Sequence, residues 1–331
     1  MEAETEMQAK TETRRGPAAA EISRTQWRSP ASSGEGTVFS RLWAPQKPAA
    51  VVQIAHGMSE YSARYDAFAA FLAENGFAVG MNDHAGHGES ALTKGYFAQK
   101  DGWECVLRDM KRLEDELREK YPGAPVFLMG HSMGSFLARS YITRYRGLSG
   151  CILSGTAGRN PALGLGRLLA AVQKRVLGPK SQGRLLAKLS FGGYLGRIQN
   201  PVNGFAWLST VDEVPRVYAQ DEFCGFPFTA GGYADLFGGV AEISGSGWAA
   251  RVPAQLPVYL FSGAEDPVGA YGKGPREVYD ALKASGHGDV QLKLYPGARH
   301  EVLNEACREQ AYEDIRQWLA ARLPAREGAP A

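Results

Sequence analysis

Val126-Phe127-Leu128-Met129-Gly130-His131-Ser132-Met133-Gly134 is the stretch that decides how the rest of the chain is read. Four apolar residues run directly into a G-x-S-x-G turn, and the segment that follows, Ser135 to Tyr145, can be helical. A serine between two glycines at a strand-to-helix turn is the signature of a nucleophile elbow. Such a turn is tight enough to strain the serine backbone. The flanking positions must then be small, because a side chain there would strike the neighbouring strand or helix. The strain presents the hydroxyl at the carboxyl edge of a sheet, where a substrate can reach it. In a chain rich in glycine and serine the bare pattern also arises by chance, so the strand before it and the helix after it carry the inference. The competing reading is a glycine-rich turn with Ser132 as a plain helix N-cap.

Working outward, strands alternate with helices on both sides of this turn. Upstream lie an alternating strand at Thr37–Trp43, a buried strand at Ala50–Ala55, a helix at Tyr65–Glu74 ended by Asn75-Gly76, and a strand at Phe77–Asn82. A helix over Trp103–Tyr121 places Val106, Met110, Leu113 and Leu117 at helical period. Downstream, a strand at Gly150–Ser154 is followed by helical pieces broken by glycines. Alternation resumes with a strand at Leu256–Phe261, a helix at Pro275–Ala284, a strand at Val290–Tyr295 and a helix at Glu305–Leu323. This order predicts a mostly parallel central sheet with helices on both faces. Residues 36–157 and 248–325 form that core. Residues 158–247 are expected to be a helical cap inserted over the carboxyl edge, where ligands bind in such sheets. Residues 1–35 are rich in Glu, Thr, Ala, Arg and Ser without apolar periodicity, which predicts a disordered tail.

The 331 residues suffice for one large α/β domain with an insertion. A net charge of +2 gives no electrostatic reason to expect a nucleic-acid partner. No apolar run approaches the ~20 residues needed to cross a bilayer. Arg14-Arg15 is followed by Gly-Pro-Ala and not by the apolar core of a signal peptide. Cys105, Cys151, Cys224 and Cys307 are widely spaced with no C-x-x-C, so neither zinc nor a disulfide framework is suggested. Buried thiols in a reducing cytoplasm are the default expectation.

A serine hydroxyl is a weak nucleophile at neutral pH. It needs a base, usually histidine, and a carboxylate to hold that histidine in the right tautomer. The expected chain order is serine, acid, histidine, each just after a strand end. His56, His84, His87 and His131 all precede Ser132. Of the other two, His287 falls in a Ser-Gly-His-Gly surface turn, whereas His300 lies just beyond the carboxyl end of the last strand. His300 is therefore the expected base. Asp266, in Gly263-Ala264-Glu265-Asp266-Pro267, is the expected acid, with Glu265 as its neighbouring competitor. Acyl transfer also needs donors for the oxyanion of the tetrahedral intermediate. Met133, the residue after the nucleophile, supplies one backbone N–H. Met58, in His56-Gly57-Met58-Ser59-Glu60, is assigned the other.

With these residues in place the chain resembles the monoacylglycerol lipase and lysophospholipase branch of the α/β-hydrolases, also described as serine aminopeptidase-like. The resemblance is carried by His56 to Tyr65, Asp83-His84-Ala85-Gly86-His87-Gly88-Glu89-Ser90, Gly130 to Gly134, Gly263 to Pro267 and Gly297-Ala298-Arg299-His300-Glu301. It implies an α/β-hydrolase fold with a structural, non-catalytic role for Asp83 to Ser90. It also implies a lipid-like monoester substrate and no metal or organic cofactor. Similar bacterial members share stretches like Trp207-Leu208-Ser209 and Phe223 to Thr229, but the cap sets substrate choice.

Within the cap, Leu165, Leu168, Leu169, Val172 and Val176 share one helical face, with Arg167, Lys174 and Arg175 elsewhere. Such a stripe can pack on the core, line an acyl tunnel or rest on a lipid surface, so peripheral membrane contact through the cap is an expectation. Leu169, Trp207 and Phe226 are the candidate substrate-binding residues. Two other functions stay open. An aminopeptidase or amidase would need cap carboxylates such as Asp212, Glu213, Asp221 or Glu222 to grip an amine. A non-catalytic ligand binder usually lacks one member of the triad.

Overall fold

The computed structural model describes residues 22–245 and 247–324. In it the sheet begins inside the stretch expected to be a tail. Ile22–Pro30 is a strand, β1, antiparallel to β2 (Thr37–Pro45), paired from Ile22 opposite Pro45 to Pro30 opposite Thr37. An edge strand needs no apolar alternation, and here Trp27 and Ser29 are held by hydrogen bonds to Glu116. The Ser-Ser-Gly-Glu-Gly turn between them was the available hairpin signal. The rest of the expected tail, residues 1–21, lies outside the described residues.

The chain continues through β3 (Ala50–Ala55), α1 (Asp66–Glu74), β4 (Phe77–Asn82), α2 (Gly102–Lys120), β5 (Val126–His131), α3 (Met133–Arg144) and β6 (Gly150–Ser154). Four helices follow before the sheet resumes: α4 (Leu163–Leu177), α5 (Arg184–Phe191), α6 (Glu213–Gln220) and α7 (Ala230–Ser244). The core then closes with β7 (Val258–Gly263), α8 (Lys273–Ala284), β8 (Val290–Tyr295) and α9 (Arg308–Ala320). The strand order is β1-β2-β4-β3-β5-β6-β7-β8. From β4 onward in that order the pairings are parallel; β1 and β2 are antiparallel to their neighbours.

All six residues of β3, β4, β5 and β7 are buried, as expected of strands covered on both faces. Alternate side chains go to opposite sides. Phe127, Met129 and Ile152 meet Phe68 and Leu72 of α1 and Ile315 and Trp318 of α9. Leu128, Cys151 and Leu153 meet the helices of the other face: Leu107 and Met110 of α2, Leu137 and Tyr141 of α3, and Val278 and Leu282 of α8. The carboxyl ends of β3, β5, β6, β7 and β8 thus open onto one edge, beneath the segment between β6 and β7.

Of the readings left open for the apolar stripe of α4, packing on the core does not hold for most of it: Leu165, Leu168, Val172 and Val176 are more than half exposed. The helix instead seats a small-residue side on α7. Ala170 is buried, and a Cβ at Gly166 would sit 3.3 Å from the Phe237 ring. Only Leu169 of the stripe turns inward far enough to be half-buried against the core. One expectation is corrected here: His287 is not a surface-turn residue. It is buried, with Nδ1 donating to the Leu282 carbonyl at 3.0 Å, because the chain folds back under the end of α8.

Candidate active site

Ser132 joins β5 to α3 with φ 52° and ψ −118°, a left-handed conformation for a residue with a side chain. The strain is imposed from both sides. The Ser132 N–H donates to the Ser154 carbonyl at 2.9 Å, and Ser135 Oγ donates to the Ser132 carbonyl at 2.6 Å. Both flanking glycines are sterically required. A Cβ at Gly130 would meet the Gly134 carbonyl, and one at Gly134 would meet the Ala55 carbonyl of β3. The elbow is therefore closed against its own helix and against the neighbouring strand.

Asp266 follows β7 and is fully buried. Its Oδ2 accepts from His300 Nδ1 at 3.0 Å and from Ser262 Oγ at 3.0 Å, while Oδ1 accepts from the Val268 N–H at 2.8 Å. A carboxylate held on both oxygens cannot rotate away. Its bond to Nδ1 fixes that nitrogen as the protonated one and leaves the Nε2 lone pair of His300 free to act as a base. Burial pushes the His300 pKa down. The charge and hydrogen bond of Asp266, with the nearby Glu301 and Glu60, outweigh that and hold it above the ordinary imidazole value. Glu265, the competitor for the acid role, has its N–H tied to the Ala298 carbonyl at 2.9 Å and makes no side-chain bond to His300 among the described residues.

The His300 ring lies 4.7 Å from the ring of His131, the residue before Ser132, and 5.2 Å from the Trp207 ring. The fold thus brings His300 to the elbow. Among the described residues no hydrogen bond joins Ser132 Oγ to His300; such bonds often close only around substrate. His131 is not an alternative base. Burial and the neighbouring His300 lower its pKa to about 4, and its Nδ1 is engaged with Ser154 Oγ at 3.0 Å.

The loop after β3 supplies the other wall. A Cβ at Gly57 would lie 3.2 Å from Ser132 Cβ, so backbone approaches Ser132 directly there. His56 fixes the peptide plane. Its Nε2 accepts from the His84 N–H at 2.9 Å, which requires the proton on Nδ1, and Nδ1 donates to the Gly57 carbonyl at 2.8 Å. In a trans peptide the next N–H points opposite to that carbonyl, so the Met58 amide faces away from His56. Neither the Met58 nor the Met133 N–H has a backbone or side-chain acceptor among the described residues. Met133 is the first residue of α3, where helix geometry leaves an amide free and the helix dipole favours negative charge.

Sequence reasoning missed a charged group behind this wall. Arg64 Nη1 donates to Glu60 Oε2 and to Glu301 Oε1 at 2.6 Å each, and Nη2 donates to Glu301 Oε2 at 2.7 Å. Glu60 Oε1 also accepts from the Gly57 N–H and, at 2.8 Å, from the Tyr65 hydroxyl. Burial works against the Glu60 charge, but Arg64 foremost holds its pKa down at about 2. The Glu60-x-x-x-Arg64 spacing was the one visible signal, and it gave no hint of Glu301.

Of the cap candidates, Trp207 borders His300, with the rings of Tyr194 and Phe191 at 5.1 and 6.0 Å behind it. Phe226 is half-buried 5.5 Å from the His87 ring, and Met58 and Leu169 are half-buried against the same core cluster. Asp212, Glu213 and Glu222 are exposed, and Asp221 accepts from the Tyr61 hydroxyl at 3.0 Å. The Asp83 carboxylate is taken up by the Ser62 and Glu89 amides, at 2.9 Å each. Among the described residues, no group of three or more His, Cys, Asp or Glu could hold a metal ion, and no helix is long and apolar enough to cross a membrane.

Comparison with known proteins adds a lineage to this geometry. The family model described as serine aminopeptidase, S33, matches residues 46–307. A monoacylglycerol lipase of Mycolicibacterium smegmatis is 29% identical over 294 residues, covering 85% of this chain and 92% of that protein. Human monoglyceride lipase is 27% identical over 291 residues, 86% of this chain and 87% of its own. A thermostable carboxyl esterase from Bacillus coagulans, solved with glycerol, superposes with a TM-score of 0.87 at 30% identity, covering 91% of this chain and 99% of the esterase.

Proposed function

The chain belongs to the serine aminopeptidase S33 family of α/β-hydrolases, and from that premise we propose that it is a serine hydrolase cleaving carboxylic esters, with monoacylglycerol or lysophospholipid as the substrate class. The observation that carries the reading is the buried Asp266–His300 pair near a strained Ser132, with the Met58 and Met133 N–H groups without acceptors among the described residues. Ester-cleaving relatives of matching length support it.

In this mechanism Ser132 Oγ attacks the ester carbonyl while His300 Nε2 takes the hydroxyl proton. Negative charge moves onto the carbonyl oxygen, where the N–H groups of Met58 and Met133 receive it; one such donor is typically worth about 3 kcal/mol of barrier. His300 returns the proton to the leaving alcohol as the C–O bond breaks, leaving an acyl-serine. Water then attacks, its proton passing to His300 and on to Ser132 as the carboxylic acid departs. Asp266 keeps Nδ1 protonated and stabilises the imidazolium at each stage. No step requires a metal or organic cofactor. An amide-cleaving role would want a carboxylate near the acyl site to bind an amine, and the exposed or engaged cap carboxylates do not favour it.

The cap supports a lipid-like substrate. Trp207, Tyr194 and Phe191 form an apolar wall beside His300. The exposed apolar residues of α4 and α5 suit peripheral contact with a lipid surface. Hydrolysis of 1-monoacylglycerols, lysophosphatidylcholine, p-nitrophenyl esters and aminoacyl anilides by wild type and Ser132→Ala tests the reading. Ester turnover is expected, with a loss of roughly 10⁴-fold or more in the variant. Equal ester hydrolysis by Ser132→Ala would overturn it.

A further inference from the structure

The two loops that must cooperate on one tetrahedral intermediate leave the sheet far apart. The amide of Met58 follows β3, and His300 follows β8; β5, β6 and β7 lie between those strands. We propose that Glu60, Arg64 and Glu301 form a positioning brace that holds the oxyanion loop and the histidine loop in one frame, with Arg64 as its central member. The proposal rests on the ester-hydrolase reading above.

The connections are direct. Glu60 Oε1 accepts the Gly57 N–H, while His56 Nδ1 donates to the Gly57 carbonyl at 2.8 Å. The residue that orients the Met58 peptide is thus gripped at both its polar atoms. Arg64 carries that grip to Glu301 through a two-pronged contact at 2.6 and 2.7 Å. Glu301 is covalently next to His300, and its own N–H donates to the Leu208 carbonyl at 2.7 Å. Asn304 Nδ2 donates to Glu301 Oε2 at 2.9 Å, completing the carboxylate. The Arg64 guanidinium lies over the Tyr218 ring at 4.8 Å, and the Tyr218 hydroxyl donates to the Ser59 carbonyl at 2.8 Å. Every member therefore reaches one of the two loops through a bond of fixed direction.

Charge is a poor choice here if filling space were the only need. Side-chain exposure is 4% for Glu60, 13% for Arg64 and 5% for Glu301, and a buried ionic triad is commonly no more stable than apolar side chains of equal volume. Apolar side chains could not accept the Gly57 N–H or fix the angle between the loops. They would also remove the surplus negative charge, one unit for two carboxylates and one guanidinium, that lies near the histidine. That charge favours the imidazolium formed during catalysis.

The test compares the purified full-length wild type with Arg64→Met, Arg64→Lys and Glu301→Gln on p-nitrophenyl butyrate, reading kcat, KM and the pH profile of kcat/KM. Loss of alignment predicts that Arg64→Met lowers kcat by about 100-fold with KM within about threefold. Arg64→Lys, with one ammonium in place of a fork, recovers part of that loss. Glu301→Gln moves the acid limb of kcat/KM to lower pH. Wild-type kcat and an unmoved limb, with only a lower Tm, would overturn the brace and leave a structural ion cluster. If Arg64→Met does not fold, Glu60→Gln carries the test. It keeps a carbonyl acceptor for the Gly57 N–H but not the charge; reduced kcat with a lowered limb supports the brace, and unchanged values overturn it. Ser132→Ala in parallel separates the two claims. If it stays active the ester reading falls and the brace with it; if it is dead while the brace variants behave as wild type, only the brace falls.

Discussion

In the proposed mechanism His300 combines two opposing demands. It must be neutral to accept the serine proton, yet its surroundings favour the charged form and raise its pKa above the ordinary imidazole value. In the free enzyme the base is active only when unprotonated, so kcat/KM should rise with pH along a limb centred above 6.5. Asp266→Asn removes the largest raising influence. A pH–rate profile of that variant should show the limb displaced to lower pH and the plateau reduced by roughly 10⁴-fold, since Nδ1 is no longer held as the donor. An unshifted limb would mean that another group sets it. At this scale the sequence was legible wherever a residue sits in a turn at a strand end. Ser132, Asp266 and His300 each follow an apolar run, so strand order alone proposed them. Arg64 and Glu301 are 237 positions apart, and no local pattern marks a contact made across the whole sheet.

At the level of single elements, α4 and α5 stand out by what they leave uncovered. Leu165, Leu168, Val172, Val176, Leu177, Leu185 and Leu189 are each at least 52% exposed. Full burial of a side chain of this kind is worth about 1.5–3 kcal/mol. The charges around them are of one sign. Arg167, Lys174, Arg175, Lys180, Arg184 and Lys188 belong to this stretch, and no Asp or Glu occurs between Ala157 and Val211. An apolar stripe edged by cations suits an anionic lipid surface. Sedimentation with phosphatidylcholine vesicles containing phosphatidylglycerol should therefore pull down wild type, less so at raised salt. Leu168→Ser combined with Val172→Ser should weaken it several-fold while short-ester turnover stays unchanged. Equal sedimentation of the double variant would refute this. The helical period of α4 was readable, but its outward orientation was not. Gly166 and Ala170 decide which side meets α7, and small residues carry almost no weight in a hydrophobicity pattern. β1 escaped notice for the converse reason, since a polar edge strand takes its stability from pairing with β2.

Across the whole molecule, four histidines are buried in surroundings that keep them neutral. Burial lowers the pKa of His56 and His84, takes that of His87 to about 3 and, with His300, that of His131 to about 4. The unfolded chain binds these protons near pH 6.5, whereas the folded chain does not. Stability is therefore lost as pH falls below 6.5, by up to about 1.4 kcal/mol per pH unit per group, until each folded-state pKa is reached. The opposite shifts do not compensate in this window. The raised His300 contributes fully below 6.5, and the depressed Glu60 loses its contribution only as pH falls from about 4.5 through about 2. Urea unfolding at pH 7, 6 and 5 should give a steadily falling midpoint; a midpoint constant across that range would contradict the neutral, buried assignment. The overall plan of sheet, flanking helices and interruption was legible because each α/β repeat carries its own period. The interior pairing of histidines was not, because it joins the ends of separate strands, β3 to β4 and β5 to β8.

The segment bridging α5 and α6 has a consequence for how such enzymes can be recombined. Arg299 Nη1 donates to the Ala206 and Ser209 carbonyls at 2.7 and 3.0 Å, Glu301 N–H to Leu208, and Thr210 N–H to Glu305 at 2.9 Å. Residues 206–210 are thus sewn to the very turn that carries His300, whereas α4 rests mainly on α7. A chimaera exchanging only the α4 portion would inherit a foreign doorway around native machinery. One whose crossover falls past Phe205 would transplant part of the scaffold that seats the imidazole.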